Sequence, residues 1–421
     1  MARVRIVRIR PPKWVRCPGC QQRQPFRKKT EHWKLVKDLD SQQPRRLQAQ
    51  VVYAKCRNPT CSVQSFPLSP PGIGRYQRAT SRLQAEAIAG LIDDNSTLGK
   101  TAGRLNRSLN TSASTSALDR WKHRAASQVS FRAMLEALGF SGVLAIDEFK
   151  PTRSKTFDLI ACDALKDRIL YLETLPQWPG WSPGMVSHGD LEAFLRRLAA
   201  LGLTPWAIIF DMATVYPKQA KKAFPDVVIQ FDYFHIVQEL FRWCRNALIR
   251  FRKDLQAQGL KDQAAELWEH RWRLLKNMDR LSPREHEVVT QLIECYRGTV
   301  VEAVLLFKDQ ARAIFTDAKT VADAYALRDA LAAETYWRCS WHLTKAMQFL
   351  LSWRFEYMVT HLAHPGLPRC GNAESCIRRW RLMEKVRYGL TASGRQEHLK
   401  LYQLQKYLGG APLHEFDKEH P

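Results

Sequence analysis

The chain has 421 residues, of which 45% are hydrophobic and 25% are charged, and its formal net charge is +24. This length predicts two to four structural units, and this composition excludes a disordered or fibrous chain. Residues 1–140 contain 26 basic and 8 acidic side chains, so an excess of 18 positive charges lies in the first third of the sequence. Positive charge concentrated at one end favours nucleic-acid binding over the alternative, a basic and well-solvated surface.

The sequence predicts no membrane segment. It contains no uninterrupted run of about 18 apolar residues, the length that a transmembrane helix needs. The first residues alternate arginine with valine and isoleucine, which is not the apolar core of a signal peptide. We therefore expect a cytoplasmic protein. In a reducing compartment, its ten cysteines argue against a disulfide framework and raise the question of metal binding.

Two cysteine pairs predict a structural zinc site in residues 1–70. A short strand is expected at residues 4–10, and a basic, strand-like segment separates Cys17 and Cys20 from Cys56 and Cys61. Zinc prefers four thiolates, and pairs two to four residues apart deliver them on tight turns. The alternative is four free, buried cysteines. The other six cysteines occur singly and are expected to pack in cores: Cys162, Cys244, Cys295, Cys339, Cys370 and Cys376.

Three short helices are predicted in residues 76–127, after a segment rich in proline, serine and glycine. The first covers residues 80–92, Asn95 and Ser96 could cap the second, and Thr115 and Ser116 could cap the third. Three helices beside a zinc ribbon favour a helix-turn-helix domain over a plain helical spacer. The third helix carries basic side chains suited to DNA phosphates or base edges: Arg120, Lys122 and Arg124.

The later sequence alternates between strands and helices. Three strands in succession, followed by helix, strand, helix and strand, predict an α/β core at residues 138–240 with a mixed five-stranded sheet of the ribonuclease-H-like type. An all-helical insertion is expected at 241–362, the final core helix at 363–405 and a tail at 406–421. Within the insertion, Trp337, Trp341 and Trp353 could stack on DNA, but core packing is favoured.

Three acidic residues could carry chemistry. Asp147 and Asp211 each stand at the carboxyl end of an apolar strand, where open α/β sheets place ligands, and Glu374 opens a helix for which Asn372 is a fitting N-cap. Carboxylates that converge need a cation, and hard oxygen ligands select Mg²⁺ or Mn²⁺. An isolated Asp after a strand is more often a helix cap or turn residue. The hypothesis of a metal site therefore depends on the occurrence of all three acids together. On the same final helix, Arg378 and Arg379 could contact phosphates.

These motifs resemble the DDE transposases of bacterial insertion sequences known as the ISL-three family, over most of the chain. The resemblance rests on four segments: CPGC with CRNPTC, AIDEFK, DMATVYPKQAKKAFPDVVIQFDYFHIV and NAESCIRRWRLMEKVRYGL. It implies that Asp147, Asp211 and Glu374 form a metal-binding triad. It also points to Asp232 and His235 as accessory residues, although an N-cap and a first-turn histidine suffice to explain them and are slightly favoured. One departure is PTRSKTFDLI after AIDEFK, which lacks a basic pattern found in many members.

The resemblance further implies function and partners. A transposase of this kind would bind terminal inverted repeats and target DNA, cleave and join DNA with two Mg²⁺ ions, and act as a homodimer or larger assembly near the bacterial nucleoid. Two rival readings remain: a domesticated transposase that regulates by binding DNA without cutting it, and a nuclease that cleaves without joining strands.

Overall fold

The computed structural model describes residues 5–40, 43–73, 78–109, 113–151, 157–175, 187–386 and 390–409. Most of the predicted tail, the segment directly after AIDEFK and part of the linker near residue 75 lie outside these ranges. Among the described residues, no helix combines the length and the apolar character needed to cross a membrane.

The amino-terminal unit is built from six strands. They are β1 (Arg5–Val7), β2 (Trp14–Arg16), β3 (Arg23–Pro25), β4 (Lys28–Asp40), β5 (Gln43–Lys55) and β6 (Ser65–Leu68). β2 and β3 form a small antiparallel pair, while β5 lies between β1 and β4 and also pairs with β6. Alternation along β5 buries Leu47 and Ala49 against Val36 and Ile73 on one face of this sheet.

Four helices follow: α1 (Ser81–Asp93), α2 (Leu98–Leu109), α3 (Thr115–Gln128) and α4 (Phe131–Leu138). The predicted caps were placed one or two residues away from the observed ones. The Thr97 hydroxyl accepts a hydrogen bond from the Lys100 amide at the start of α2, and the Ser114 hydroxyl accepts one from the Ala117 amide at the start of α3. Leu83, Ala102, Leu105 and Leu118 give α1, α2 and α3 a common core, whereas α4 packs against the central sheet.

The central sheet has the predicted mixed, five-stranded form. In chain order its elements are β7 (Val143–Phe149), β8 (Asp158–Asp163), β9 (Arg168–Thr174), α5 (His188–Ala200), β10 (Ala207–Phe210), α6 (Val215–Ala223) and β11 (Val228–Phe231). The strand order is β11-β10-β7-β8-β9. β7, β8 and β9 form an antiparallel meander, whereas β10 and β11 run parallel to β7 because each returns through a helix.

The two faces of this sheet are covered by different helices, because successive residues of a strand point to opposite sides. Leu144 and Ile146 pack with residues of α5 and α6. Val143 and Ala145 pack on the other side with the final helices, α14 (Ala373–Val386) and α15 (Ala392–Tyr407).

A helical region separates β11 from α14. It contains α7 (Tyr233–Ala257), α8 (Lys261–Leu275), α9 (Pro283–Cys295), α10 (Val300–Thr316), α11 (Val321–Ala333), α12 (Trp341–Leu350), α13 (Phe355–Met358) and three 3₁₀ turns. The predicted boundary at residue 241 falls inside α7, a single helix of 25 residues. The expectation of core packing is wrong for Trp341 and Trp353, which are 62% and 51% exposed.

The single cysteines divide into two groups. Cys162, Cys244 and Cys376 are buried, as predicted for core packing. The same prediction is wrong for the exposed Cys295, Cys339 and Cys370.

Candidate active site and metal centre

The strand register brings Asp147 and Asp211 together. β7 and β10 are parallel neighbours, with Ala145 opposite Ile209. Each aspartate lies two residues further along its own strand direction, so the two carboxylates reach the same level near the carboxyl edge of the sheet. Asp211 directly follows β10, but β7 continues to Phe149, so the prediction that Asp147 stands at the end of its strand is wrong. Asp147 is 7% exposed and its carboxylate accepts a 2.8 Å hydrogen bond from the Glu148 amide. The Asp211 carboxylate accepts one from the Met212 amide.

His235 lies between the two aspartates. It is in the first turn of α7, with Nε2 3.9 Å from an Asp147 oxygen and Nδ1 3.8 Å from an Asp211 oxygen. These distances are longer than hydrogen bonds, so the contact is electrostatic. A protonated imidazole at this position would offset the repulsion between the two carboxylates.

Glu374 is the second residue of α14 and is exposed at the same edge. The pKa of Asp147 is raised to about 7: burial raises it most, the charges of Asp211 and Glu374 also raise it, and the nearby His235 and the Glu148 amide lower it. Asp147 therefore lies close enough to both of the other predicted acids to feel their charges. Within the described ranges, however, their oxygens are not all within 4.8 Å of one another, a spacing that the four amino-terminal cysteines do meet.

Asp232 and Gly371 fasten the start of α14 to the sheet. One Asp232 oxygen caps α7 by accepting from the Phe234 amide at 2.8 Å, and the other accepts from the Gly371 amide at 3.0 Å. A Cβ at Gly371 would lie 2.9 Å from the Ala145 Cβ and 3.4 Å from the Ile209 Cγ2. The backbone three residues before Glu374 therefore rests directly on β7 and β10, which sets the position of Glu374. The sequence reasoning missed this role of Gly371, although the GNAE segment carries it.

Asn372 occupies the predicted N-cap position of α14, where its carbonyl accepts from the Cys376 amide at 2.9 Å, but its side chain does not cap the helix. Its amide nitrogen donates to the Asp163 carbonyl at 2.8 Å and to an Asp167 oxygen at 3.1 Å, and its own side-chain oxygen has no hydrogen-bond partner. The side chain therefore ties α14 to the turn between β8 and β9.

The basic residues of α14 differ in exposure. Arg379 is paired with Asp167, with one guanidinium nitrogen 2.9 Å from the carboxylate, so it also holds α14 to this turn. Arg378 is exposed and faces solvent.

The basic residues of α3 divide in the same way. Arg120 and Arg124 are exposed and, being four residues apart, share one face of the helix. Lys122 is only 7% exposed, and its ammonium lies 3.5 Å from both Asp119 and Glu397. The expectation that Lys122 contacts DNA therefore needs correction: its side chain points into the protein, because two residues along a helix turn the side chain to the opposite face.

The four amino-terminal cysteines form a compact cluster. The sulfurs of Cys17 and Cys61 are 3.7 Å apart, as are those of Cys20 and Cys56, and all four lie within 4.8 Å of one another. A tetrahedral zinc with Zn–S bonds of about 2.3 Å requires sulfurs about 3.8 Å apart, so the donor set and its spacing fit zinc. Gly19 makes this possible, because a Cβ there would lie 2.9 Å from the Cys61 sulfur.

Comparisons with known proteins give three findings. The model of the ISL-three family of DDE transposases, described as "Transposase", matches residues 144–391. The chain is 26% identical over 238 residues to the transposase for insertion sequence element IS1001 of Bordetella parapertussis, a match that covers 55% of this chain and 52% of that protein. The chain thus spans about half the length of this curated relative. Among solved structures, the Drosophila P element transposase strand transfer complex aligns with a TM-score of 0.41 and 13% identity, over 78% of this chain and 93% of that chain.

Proposed function

The chain belongs to the ISL-three family of DDE transposases, and from this membership we propose that it binds the terminal inverted repeats of an insertion sequence and catalyses DNA cleavage and strand transfer. The observation that carries the proposal is the convergence of Asp147 and Asp211 at one sheet edge, with Glu374 on a helix fastened beside them. The order of the sheet, a meander followed by two parallel strands, supports a ribonuclease-H-like core.

Asp147, Asp211 and Glu374 are the residues that would hold Mg²⁺ or Mn²⁺. The donor set consists of hard carboxylate oxygens, and burial together with like charges raises the pKa of Asp147, as expected where a cation completes the site. Two divalent ions bound there would activate water against a phosphodiester and then the released 3′-hydroxyl against target DNA.

The other residues of the site act through these acids. Asp232 positions Glu374 through its hydrogen bond to Gly371, and His235 supports Asp147 and Asp211 from between them. Both are assigned as positioning residues. His235 would orient the two carboxylates that would hold the cation, because it lies 3.9 Å from an Asp147 oxygen and 3.8 Å from an Asp211 oxygen.

Recognition of DNA is assigned to the basic amino-terminal third. The three-helix unit α1–α3 would act as a helix-turn-helix domain that presents Arg120 and Arg124, and Arg378 would contact phosphates nearer the catalytic edge. The zinc-bound cysteine cluster would stabilise the first unit. The cytoplasm and the nucleoid are the expected location, and a homodimer or larger assembly would pair the two DNA ends.

The test uses purified protein, Mg²⁺, a labelled duplex that carries the inverted repeat of the element, and a target plasmid. Wild type is expected to nick the repeat end and join it to the plasmid, while Asp147→Ala binds the duplex and does neither. Binding without nicking by wild type would favour the domesticated regulator. Nicking without joining would favour the nuclease. Cleavage that survives in Asp147→Ala would refute the assignment of the acid.

A further inference from the structure

The carboxyl-terminal helix α15 is attached to the edge of the catalytic sheet. The Gln403 amide, which is fully buried, donates to the carbonyls of Ile169 and Leu170 in β9 at 2.7 and 2.8 Å. The Tyr407 hydroxyl accepts from the Ile169 amide at 3.2 Å. These bonds use backbone groups of an edge strand, so they fix α15 in both position and register along β9.

The same helix shares a hydrophobic core with the three-helix unit. Leu401 of α15 packs with Ile88 and Ile92 of α1 and with Ala125 and Ala126 of α3, and all five are buried. The α1–α3 unit is therefore not merely connected to the catalytic domain by the chain between α3 and β7. It is packed against that domain.

Polar contacts surround this shared core. Glu397 of α15 faces both Lys122 and His123 of α3, and the Lys122 side chain is only 9% exposed. At the other end, Lys406 lies 2.6 Å from Asp93 of α1, and Gln405 donates to the same carboxylate at 3.0 Å. Because α15 contacts these helices at two separate points, it fixes both the orientation of α1 and α3 and their distance from the catalytic sheet.

A buried ion cluster extends the attachment to the helix that begins with Glu374. The Arg395 guanidinium of α15 lies 3.0 Å from Asp158 of β8 and 3.4 Å from Glu384 of α14. The three side chains are 8%, 0% and 6% exposed. Because a buried cation between two carboxylates tolerates little movement, α15 links the α1–α3 unit rigidly to both α14 and the sheet.

We propose that the α3–α15 interface sets the spacing between the DNA sequence recognised by α1–α3 and the phosphodiester cleaved at Asp147. This inference rests on the proposed function. Arg120 and Arg124 lie on the face of α3 opposite Lys122, so docking on α15 leaves the basic face open and fixes its direction. Adding one base pair moves the cleaved bond by about 3.4 Å and turns it by about a tenth of a helical turn. A rigid connection rejects such a shift, whereas a flexible tether follows it.

The experiment compares the native repeat with duplexes that carry one or two extra base pairs. These are inserted between the sequence that α1–α3 contacts, located by footprinting, and the cleaved end. Cleavage positions are mapped at single-nucleotide resolution. Wild type is expected to cut the native duplex at one position and the lengthened duplexes at least about tenfold more slowly. The spacing preference is the ratio of the cleavage rates of the native and lengthened duplexes. In Glu397→Lys a cation faces Lys122 and His123, so the spacing preference is expected to fall at least several-fold while duplex binding is retained.

Two further variants guard against a simple folding defect. Lys406→Asp places a second carboxylate beside Asp93 at a partly exposed ion pair, so it should also weaken the spacing preference. Adding Asp93→Lys restores opposite charges and should restore the preference. The control Arg132→Glu reverses a charge at the exposed Arg132–Glu136 pair of α4 and should leave the preference unchanged. The proposal is overturned if wild type cuts lengthened duplexes as fast as the native one, or if both interface variants keep the wild-type preference. Failure of the proposed function differs, because wild type would then cut no duplex at all.

Discussion

Replacing Gly371 with alanine tests whether close packing of the chain before α14 positions the catalytic acid. Gly371 does not have a positive φ, so alanine adopts its backbone conformation freely and only space is changed. The new Cβ would lie 2.9 Å from the Ala145 Cβ, while carbon atoms in contact are normally about 3.5–4.0 Å apart. The segment must therefore move away from β7 by roughly 0.6–1.1 Å, which is the difference between these two spacings.

The substitution is expected to affect both the rate of cleavage and the stability of the fold. A misplacement of about 1 Å in a catalytic group costs on the order of 100-fold in rate, and overpacking a core costs about 1–3 kcal/mol. The movement also lengthens the hydrogen bond from the Gly371 amide to Asp232. We expect DNA cleavage to fall about 100-fold, with duplex binding unchanged and a moderate decrease in thermal stability.

The assay measures single-turnover cleavage of the labelled repeat at saturating Mg²⁺, with gel-shift binding and thermal unfolding as companions. Gly189→Ala is a matched control, since its Cβ would meet nothing closer than the Ser187 hydroxyl at 4.0 Å. As a helical glycine in α5, it should gain up to about 1 kcal/mol of stability and lose no activity. Cleavage by Gly371→Ala within about threefold of wild type would refute the reasoning from packing.

Three other predictions concern the charged groups and the cysteines. The pKa of Asp147 is raised to about 7, so between about pH 4 and 7 the folded, metal-free protein holds a proton that the unfolded chain has released. The free energy of unfolding therefore falls as pH rises through this range. Asp147→Asn should therefore raise the free energy of unfolding more at pH 8 than at pH 5, by at most about 4 kcal/mol. Parallel pH profiles of stability for the variant and wild type would contradict this. Arg395→Leu removes the cation between buried Asp158 and Glu384 and should cost about 3–5 kcal/mol in denaturant unfolding; a loss below about 1 kcal/mol would show that the cluster is not structural. Cys17→Ala should lower bound zinc, measured by elemental analysis, and increase proteolysis of residues 5–73 selectively; unchanged zinc content would exclude Cys17 as a ligand.

Local sequence pattern was enough to predict most of the architecture. Continuous apolar runs and their order predicted the mixed five-stranded sheet, and the paired cysteines predicted a four-sulfur cluster. The family resemblance is confirmed by the match over residues 144–391. Asp147 and Asp211 could be proposed because each follows a run of apolar residues, a feature that depends only on neighbouring residues. Their catalytic roles, and that of Glu374, stay predictions.

Contacts between distant segments could not be read from local pattern. Lys122 appears in the sequence as one of three basic residues on a helix. In the structure it is buried and its ammonium lies 3.5 Å from Glu397, which is 275 positions later in the chain. Gly371 looks like an ordinary loop glycine until Ala145 and Ile209 are placed beneath it. The cluster of Arg395 with Asp158 and Glu384 has no local signature. By itself the sequence determined most of the segments that form strands and helices and which carboxylates follow apolar runs, because periodicity and capping act over a few residues. Only the tertiary structure decided which charges are buried, paired or open to DNA, because burial depends on what packs above each side chain.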